Sequence, residues 1–230
     1  MFVPLHDNTP LLVIRFQFVT LAIIVGNVII YLFTGAFHSD VYLANVATSF
    51  GVVPSDLTHS ASQSIPYSPI PEPFTFLTYM FLHASWMHLI TNMLFLWVFA
   101  DNVEDAFGYG AFALFYLLCG IAGALAHVAM EPNSAAPLIG ASGAVSGVIG
   151  AYVLLYPRAR LLILVFSILP LRLSAIWVLG GWFLLQVFYV VVAERNGDIE
   201  VAFWAHIGGF IAGLAITLVL RSRLLIRPQS

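Results

Sequence analysis

Six long apolar stretches, near residues 11–34, 76–99, 107–130, 138–156, 173–193 and 199–220, divide the sequence. A helix needs about 20 predominantly apolar residues to cross the hydrocarbon core of a bilayer. Each stretch therefore predicts a membrane-spanning helix, and together they predict an all-α, six-transmembrane-helix bundle in a single membrane domain over 1–230. The chain is 61% hydrophobic and 8% charged, against about 25% charged in soluble domains. Polar or turn-forming segments separate the stretches: SQSIPYSPIPEP, DNVEDAFG, EPNSAAP, YPRAR and AERNGDIE. The run LLILVFSILPL at 161–171 is too short to cross, and is expected at the interface or as an extension of its neighbouring helices. The first apolar stretch is too long for a signal-peptide core and lacks a basic leader, so it reads as a retained span.

The arginines orient this arrangement, because Lys and Arg accumulate in cytoplasmic loops. With six spans and both termini cytoplasmic, Arg15, Arg158, Arg160, Arg172, Arg221, Arg223 and Arg227 lie inside and only Arg195 outside. The same topology predicts a long outer loop between the first two helices, over 34–75, with Phe50, Val52 and Val53 partly buried in the membrane surface. A net charge of −3 with no lysine offers no basic surface for nucleic acid. The single cysteine, Cys119, has no partner for an intramolecular disulfide and reads as a packing residue.

Polar groups inside spans are costly and turn toward the bundle interior. Three clusters stand out: His83, His88 and Asn92 in FLHASWMHLITN, Ser142 in GASGAVSG, and His206 in FWAHIGGFIAG. In the predicted topology all three spans enter from the outer side, so these groups share one layer roughly 5–20 Å deep at 1.5 Å per residue. His88 and Asn92 share a helical face. Gly143, Gly147 and Gly150 form one stripe beside Ser142, and Gly209 and Gly213 continue the face of His206. Two such stripes permit close backbone approach. Small residues around Ser142 are explained by helix packing alone, or by packing that brings a nucleophile to a base. No metal or other cofactor is expected: His83 and His88 are five residues apart, fall on different faces of a continuous helix, and lack the Glu of H-E-x-x-H. The G-x-S-x-G nucleophile elbow is absent too.

The motifs G-A-S-G at 140–143, A-H-I-G-G at 205–209 and H-A-S-W-M-H-L-I-T-N at 83–92 resemble those of the rhomboid intramembrane serine proteases. Val103-Glu104 and Phe107-Gly108 resemble the family pattern at the inner end of the second span, and the likeness extends over about residues 75–215. The resemblance implies a Ser142–His206 dyad without an acidic third member. It implies an oxyanion hole of the Ser142 N–H with the His88 and Asn92 side chains, and structural support from His83, Glu104, Gly143 and Gly209. Trp177, Trp182 and Phe183 resemble a lateral substrate gate, although interfacial anchoring explains these aromatics too. The implied partners are the lipid bilayer and transmembrane protein substrates, cut near the outer face. The expected location is a prokaryotic plasma membrane, with an organelle as the alternative.

Two departures from the family pattern stand beside the likeness. Ser146 occupies the position where some relatives stack an aromatic ring on the catalytic histidine, and the outer loop lacks the Trp-Arg pair of many relatives. A rhomboid-like pseudoprotease that binds membrane clients would typically have lost the serine or the histidine, and both are present. A transporter would show charged residues within its spans or broken helices in symmetric halves, and neither is visible in the sequence.

Overall fold

The computed structural model describes residues 2–58, 69–165, 168–196 and 202–224. Arg227 lies outside the described residues, as do 62–68 of the Pro-rich segment and 197–200 of AERNGDIE. The chain begins with strand β1 (Phe2–Asp7), followed by α1 (Phe18–Thr34), α2 (Asp40–Phe50), α3 (Pro54–Thr58) and the short α4 (Thr75–Thr78). Next come α5 (Trp86–Phe107), α6 (Tyr109–Met130), α7 (Ser142–Leu155), a hairpin of β2 (Arg160–Val165) and β3 (Leu169–Ser174), α8 (Ala175–Asn196) and α9 (Phe203–Leu220). Helices α6, α8 and α9 are each long and apolar enough to cross a membrane, and α5 joins them when the bent segment before it is counted in the same span. Helices α1 and α7 are apolar but shorter. The protein is thus a predominantly helical integral membrane protein.

Four expectations from the sequence are corrected. The stretch at 76–99 is not one helix: Glu72–Phe81 and α5 meet at 83°, with His83 in the link between them. Ser85 makes this break a clean helix start by accepting the His88 N–H at 3.1 Å, the N-cap arrangement that satisfies an otherwise orphaned donor. Second, the acidic DNVEDAF does not interrupt the chain but forms the buried last turns of α5. Glu104 accepts the Val19 and Thr20 N–H groups at 3.0 and 2.8 Å and the Thr20 hydroxyl at 2.6 Å. Asp105 accepts the N–H groups of Leu12, Val13 and Ile14 at 2.7–2.9 Å. Charge-assisted bonds of this kind contribute about 1.5–3 kcal/mol each. Glu104 thereby caps α1, which has no side-chain cap of its own and starts at Phe18 rather than near residue 11, while Asp105 holds the chain just ahead of it.

Third, the run at 161–171 is neither a helix nor an extension of one. It supplies most of the hairpin in a three-stranded antiparallel sheet of order β1-β2-β3, with Val3 opposite Leu164 and Leu162 opposite Arg172. Branched and leucine-rich residues on a short segment favour extended pairing when a partner strand is at hand, and the N-terminus supplies it. Fourth, the loop over 34–75 contains α2 and α3 and is tied down around residues 50–55. Val52 and Leu138 exchange backbone hydrogen bonds at 3.1 and 2.8 Å, Ser55 N–H reaches the Ser134 carbonyl at 3.0 Å, and Thr78 Oγ1 donates to the Phe50 carbonyl at 2.5 Å. Val52 and Val53 are buried within the protein. These contacts anchor the loop without the absent Trp-Arg pair.

The centre of the molecule is a seam between α7 and α9, flanked by α6. A Cβ placed on Gly209 would collide with the carbonyl of Gly143, and one on Gly213 with the carbonyl of Gly147. A Cβ on Gly150 would stand 2.5 Å from the Phe210 carbonyl, and one on Gly123 of α6 would stand 2.7 Å from the Ala205 carbonyl. The two glycine stripes thus face each other, backbone against backbone. Helix α8 sits differently, packing through side chains: Phe183 stacks on Phe210 at 4.1 Å between ring centroids, and Tyr189 on Phe203 at 5.5 Å.

Candidate active site

Ser142 is the first residue of α7. Its position follows from Gly140, whose φ of +122° is open to glycine and strained for other residues, and whose N–H is fixed at 2.9 Å to the Tyr79 carbonyl. The chain therefore turns sharply into the helix just before Ser142. Further along the first turn, the Ser146 hydroxyl donates to the Ser142 carbonyl at 2.6 Å. A serine is thus accommodated there by bonding back to its own helix.

His206 lies in the first turn of α9, and its Nε2 is 2.9 Å from Ser142 Oγ. The glycine seam sets this distance: with Gly209 against Gly143, His206, one turn before Gly209, is carried onto Ser142, the residue just before Gly143. The other ring nitrogen, Nδ1, is 2.8 Å from Oε1 of Gln186 on α8. Trp182, one turn earlier on α8, lies 6.1 Å from the His206 ring at an interplanar angle of 31°, and Phe203 meets that ring edge-on at 6.3 Å. The aromatic cover that Ser146 does not provide on α7 is supplied from α8 and α9.

The residues of H-A-S-W-M-H-L-I-T-N line the opposite side. The His88 ring abuts Gly140, such that a Cβ there would come within 2.7 Å of its Cε1 and Nε2. Only glycine leaves room for this ring two residues before Ser142. Asn92, 6% exposed, lies one turn further along α5 and donates its Nδ2 to the His88 carbonyl at 3.2 Å. His83 is fully buried, and its ring meets that of His88 edge-on at 5.0 Å. The two rings meet although a continuous helix would have separated them, because His83 belongs to the bent link and not to α5.

The remaining expected residues are distributed as follows. Gly143 and Gly209 form the closest approach in the α7–α9 seam. Glu104 is buried at the far end of α5, capping α1, and makes no contact with this layer. Trp182 and Phe183 point inward, whereas Trp177 is 77% exposed and apart from them. Two residues of the site have no motif that marks them. Tyr79 supports Gly140 through its carbonyl and donates its hydroxyl to the Gly120 carbonyl at 2.6 Å. Gln186 did carry a signal, as the only amide or charged side chain between Ala175 and Val192. Among the described residues, no group of three or more His, Cys, Asp or Glu side chains is placed to hold a metal ion.

A hydroxyl hydrogen-bonded to an imidazole, beside the first N–H groups of a helix that lack intrahelical acceptors, is an arrangement able to activate a nucleophile and receive an oxyanion. The rhomboid domain model matches residues 71–223, more than half of the chain, and the chain belongs to the rhomboid family. It is 34% identical over 143 residues to Rhomboid protein 1, mitochondrial, of Saccharomyces cerevisiae, covering 58% of this chain and 38% of that protein. It is 30% identical over 140 residues to Rhomboid-like protease 3 of Toxoplasma gondii, covering 61% and 49%. Over 88 residues it is 42% identical to Rhomboid protease GluP of Bacillus subtilis, covering 37% and 17%. The chain thus spans less than half the length of each of these relatives.

Proposed function

We propose that the protein is an intramembrane serine endopeptidase that hydrolyses a peptide bond in the transmembrane segment of another membrane protein. The observation that carries this reading is the 2.9 Å approach of Ser142 Oγ to His206 Nε2 at the head of a backbone-to-backbone helix seam. Kinship with proteins named as proteases supports it.

In this mechanism His206 Nε2 takes the hydroxyl proton as Ser142 Oγ bonds to the scissile carbonyl carbon. The carbonyl oxygen becomes an oxyanion, received by the Ser142 N–H together with His88 and Asn92. His206 returns the proton to the leaving amine as the C–N bond breaks, leaving an acyl ester on Ser142. Water, deprotonated by His206, then hydrolyses the ester and restores the hydroxyl. Asn92 Nδ2 donates one N–H to the His88 carbonyl and has a second N–H for the oxyanion, a charge that develops only as Ser142 attacks.

The six-span topology takes α1, α5, α6, α7, α8 and α9 as its spans, with bilayer adaptation accommodating the shorter α1 and α7. The pairing of β1 with β2 brings the N-terminus beside the 160–174 hairpin. This supports the orientation in which Arg15, Arg158, Arg160 and Arg172 share the cytoplasmic side, as in a prokaryotic plasma membrane. The decisive experiment incubates the purified protein with a panel of single-span substrates, with Ser142→Ala and His206→Ala in parallel. Both variants should lose cleavage while keeping their melting temperatures, and a fluorophosphonate should label Ser142 only when His206 is intact. Wild-type cleavage by Ser142→Ala would end the serine-protease reading.

A further inference from the structure

The dyad has a third residue against it. Gln186 is 7% exposed, although the residues around it on α8, Leu184, Leu185 and Phe188, face outward and are exposed. Withdrawing an amide from water onto a helix otherwise composed of apolar and aromatic residues is costly unless its polar atoms are used. Here the oxygen is used, at 2.8 Å from His206 Nδ1.

An amide oxygen only accepts, so Nδ1 must carry the proton. In a neutral imidazole that leaves the Nε2 lone pair facing the Ser142 hydroxyl, which is the tautomer a general base needs. When His206 takes the serine proton, its Nδ1–H still has an acceptor. The alternative amide orientation would present an N–H to Nδ1, force the proton onto Nε2, and disable the base. Ser142 on α7, His206 on α9 and Gln186 on α8 therefore form a relay across three helices. An amide holding the base is known chemistry in Cys-His-Asn proteases.

We propose that Gln186 is a positioning residue that fixes the productive tautomer and orientation of His206, and that it ties the readiness of the base to the seating of α8. This rests on the reading of Ser142 and His206 as nucleophile and base. Trp182, on the same helix, covers the His206 ring, so an outward displacement of α8 removes acceptor and cover together. The base is competent when α8 is closed on the seam.

The test uses the full chain in liposomes and compares wild type with Gln186→Met, Gln186→Glu, Gln186→Asn and Ser142→Ala. The readouts are kcat and KM on a single-span substrate, the rate of fluorophosphonate labelling, and thermal unfolding. Gln186→Met matches the shape and removes the acceptor. It should lower kcat by roughly 10- to 100-fold, the range for residues that orient a catalytic histidine or metal ligand, with KM unchanged and labelling slowed in parallel. Gln186→Glu returns an oxygen at the same reach and should recover most of the rate. Gln186→Asn keeps the polarity but withdraws the oxygen by one methylene, and should lose rate without any apolar repacking. Wild-type kcat and labelling in Gln186→Met would overturn the proposal while leaving the dyad intact. So would a Glu variant as slow as the Met variant with both melting early, since Gln186 would then be a packing group. Cleavage by Ser142→Ala would instead remove the dyad, and this proposal with it.

Discussion

The seam between α7 and α9 and the contact made by α8 hold the same site by opposite means. Along the seam, carbonyl groups of one helix lie where the side chains of the other would be, and nothing flexible intervenes. Helix α8 instead meets α9 through aromatic rings and the hydrogen bond that Gln186 accepts from His206. Close-packed backbone has no rotamers to yield, whereas side-chain contacts can be remade. Ser142 and His206 stand on the rigid pair, and Trp182 and Gln186, which cover His206 and bond to it, stand on the adjustable helix. Under the proposed function, this division would keep the reacting atoms fixed while the adjustable helix accommodates substrate.

The sharpest way to break the contrast is Gly209→Val, which forces a branched side chain into the carbonyl of Gly143. Overpacking costs about 1–3 kcal/mol and more where backbone must move, so this variant should melt far earlier and lose all cleavage. Thermal unfolding in detergent, with activity on the same sample, checks both. Next in size are His88→Ala and Asn92→Ala, which should leave the seam and the melting temperature intact. Each should lower kcat on the order of 10²–10³-fold if it donates to the oxyanion; full kcat with a lowered melting temperature would make it a packing residue. Phe183→Ala removes the ring stacked on Phe210, a pairing worth about 0.5–1.5 kcal/mol beyond its burial. Hydrogen exchange should rise along α8 while α7 and α9 stay protected; uniform exchange across all three helices would erase the distinction. The smallest effect is expected at Gly180 and Gly181 of α8, where an added Cβ meets nothing within 4 Å. Either Gly→Ala change should be neutral or raise stability by about 0.5–1 kcal/mol, in contrast to the seam glycines.

The long apolar helices were legible because the bilayer imposes a length and a polarity on any crossing helix, and both are properties of sequence alone. The helical bodies at 107–130 and 199–220 accordingly match α6 and α9 closely, and the polar layer was visible as His88, Asn92, Ser142 and His206 against an apolar background. Elements whose partners are remote were not legible. DNVEDAF looks like a loop until Glu104 and Asp105 are seen to be satisfied by backbone N–H groups some 85–93 residues away in sequence. LLILVFSILPL looks helical until β1 pairs with it.

The sequence by itself determined the solvent, since a chain this apolar has to satisfy its backbone within lipid, and it determined which side chains are chemically able to react. It also supplied the glycine stripes, whose period is that of one helix face. Only the tertiary structure decided that those stripes meet each other, that the resulting approach leaves 2.9 Å between Ser142 and His206, and that Gln186 completes the contact from a third helix. The reason is physical: periodicity fixes the face a residue occupies on its own helix, but the distance between residues on different helices is set by how closely and at what angle those helices pack.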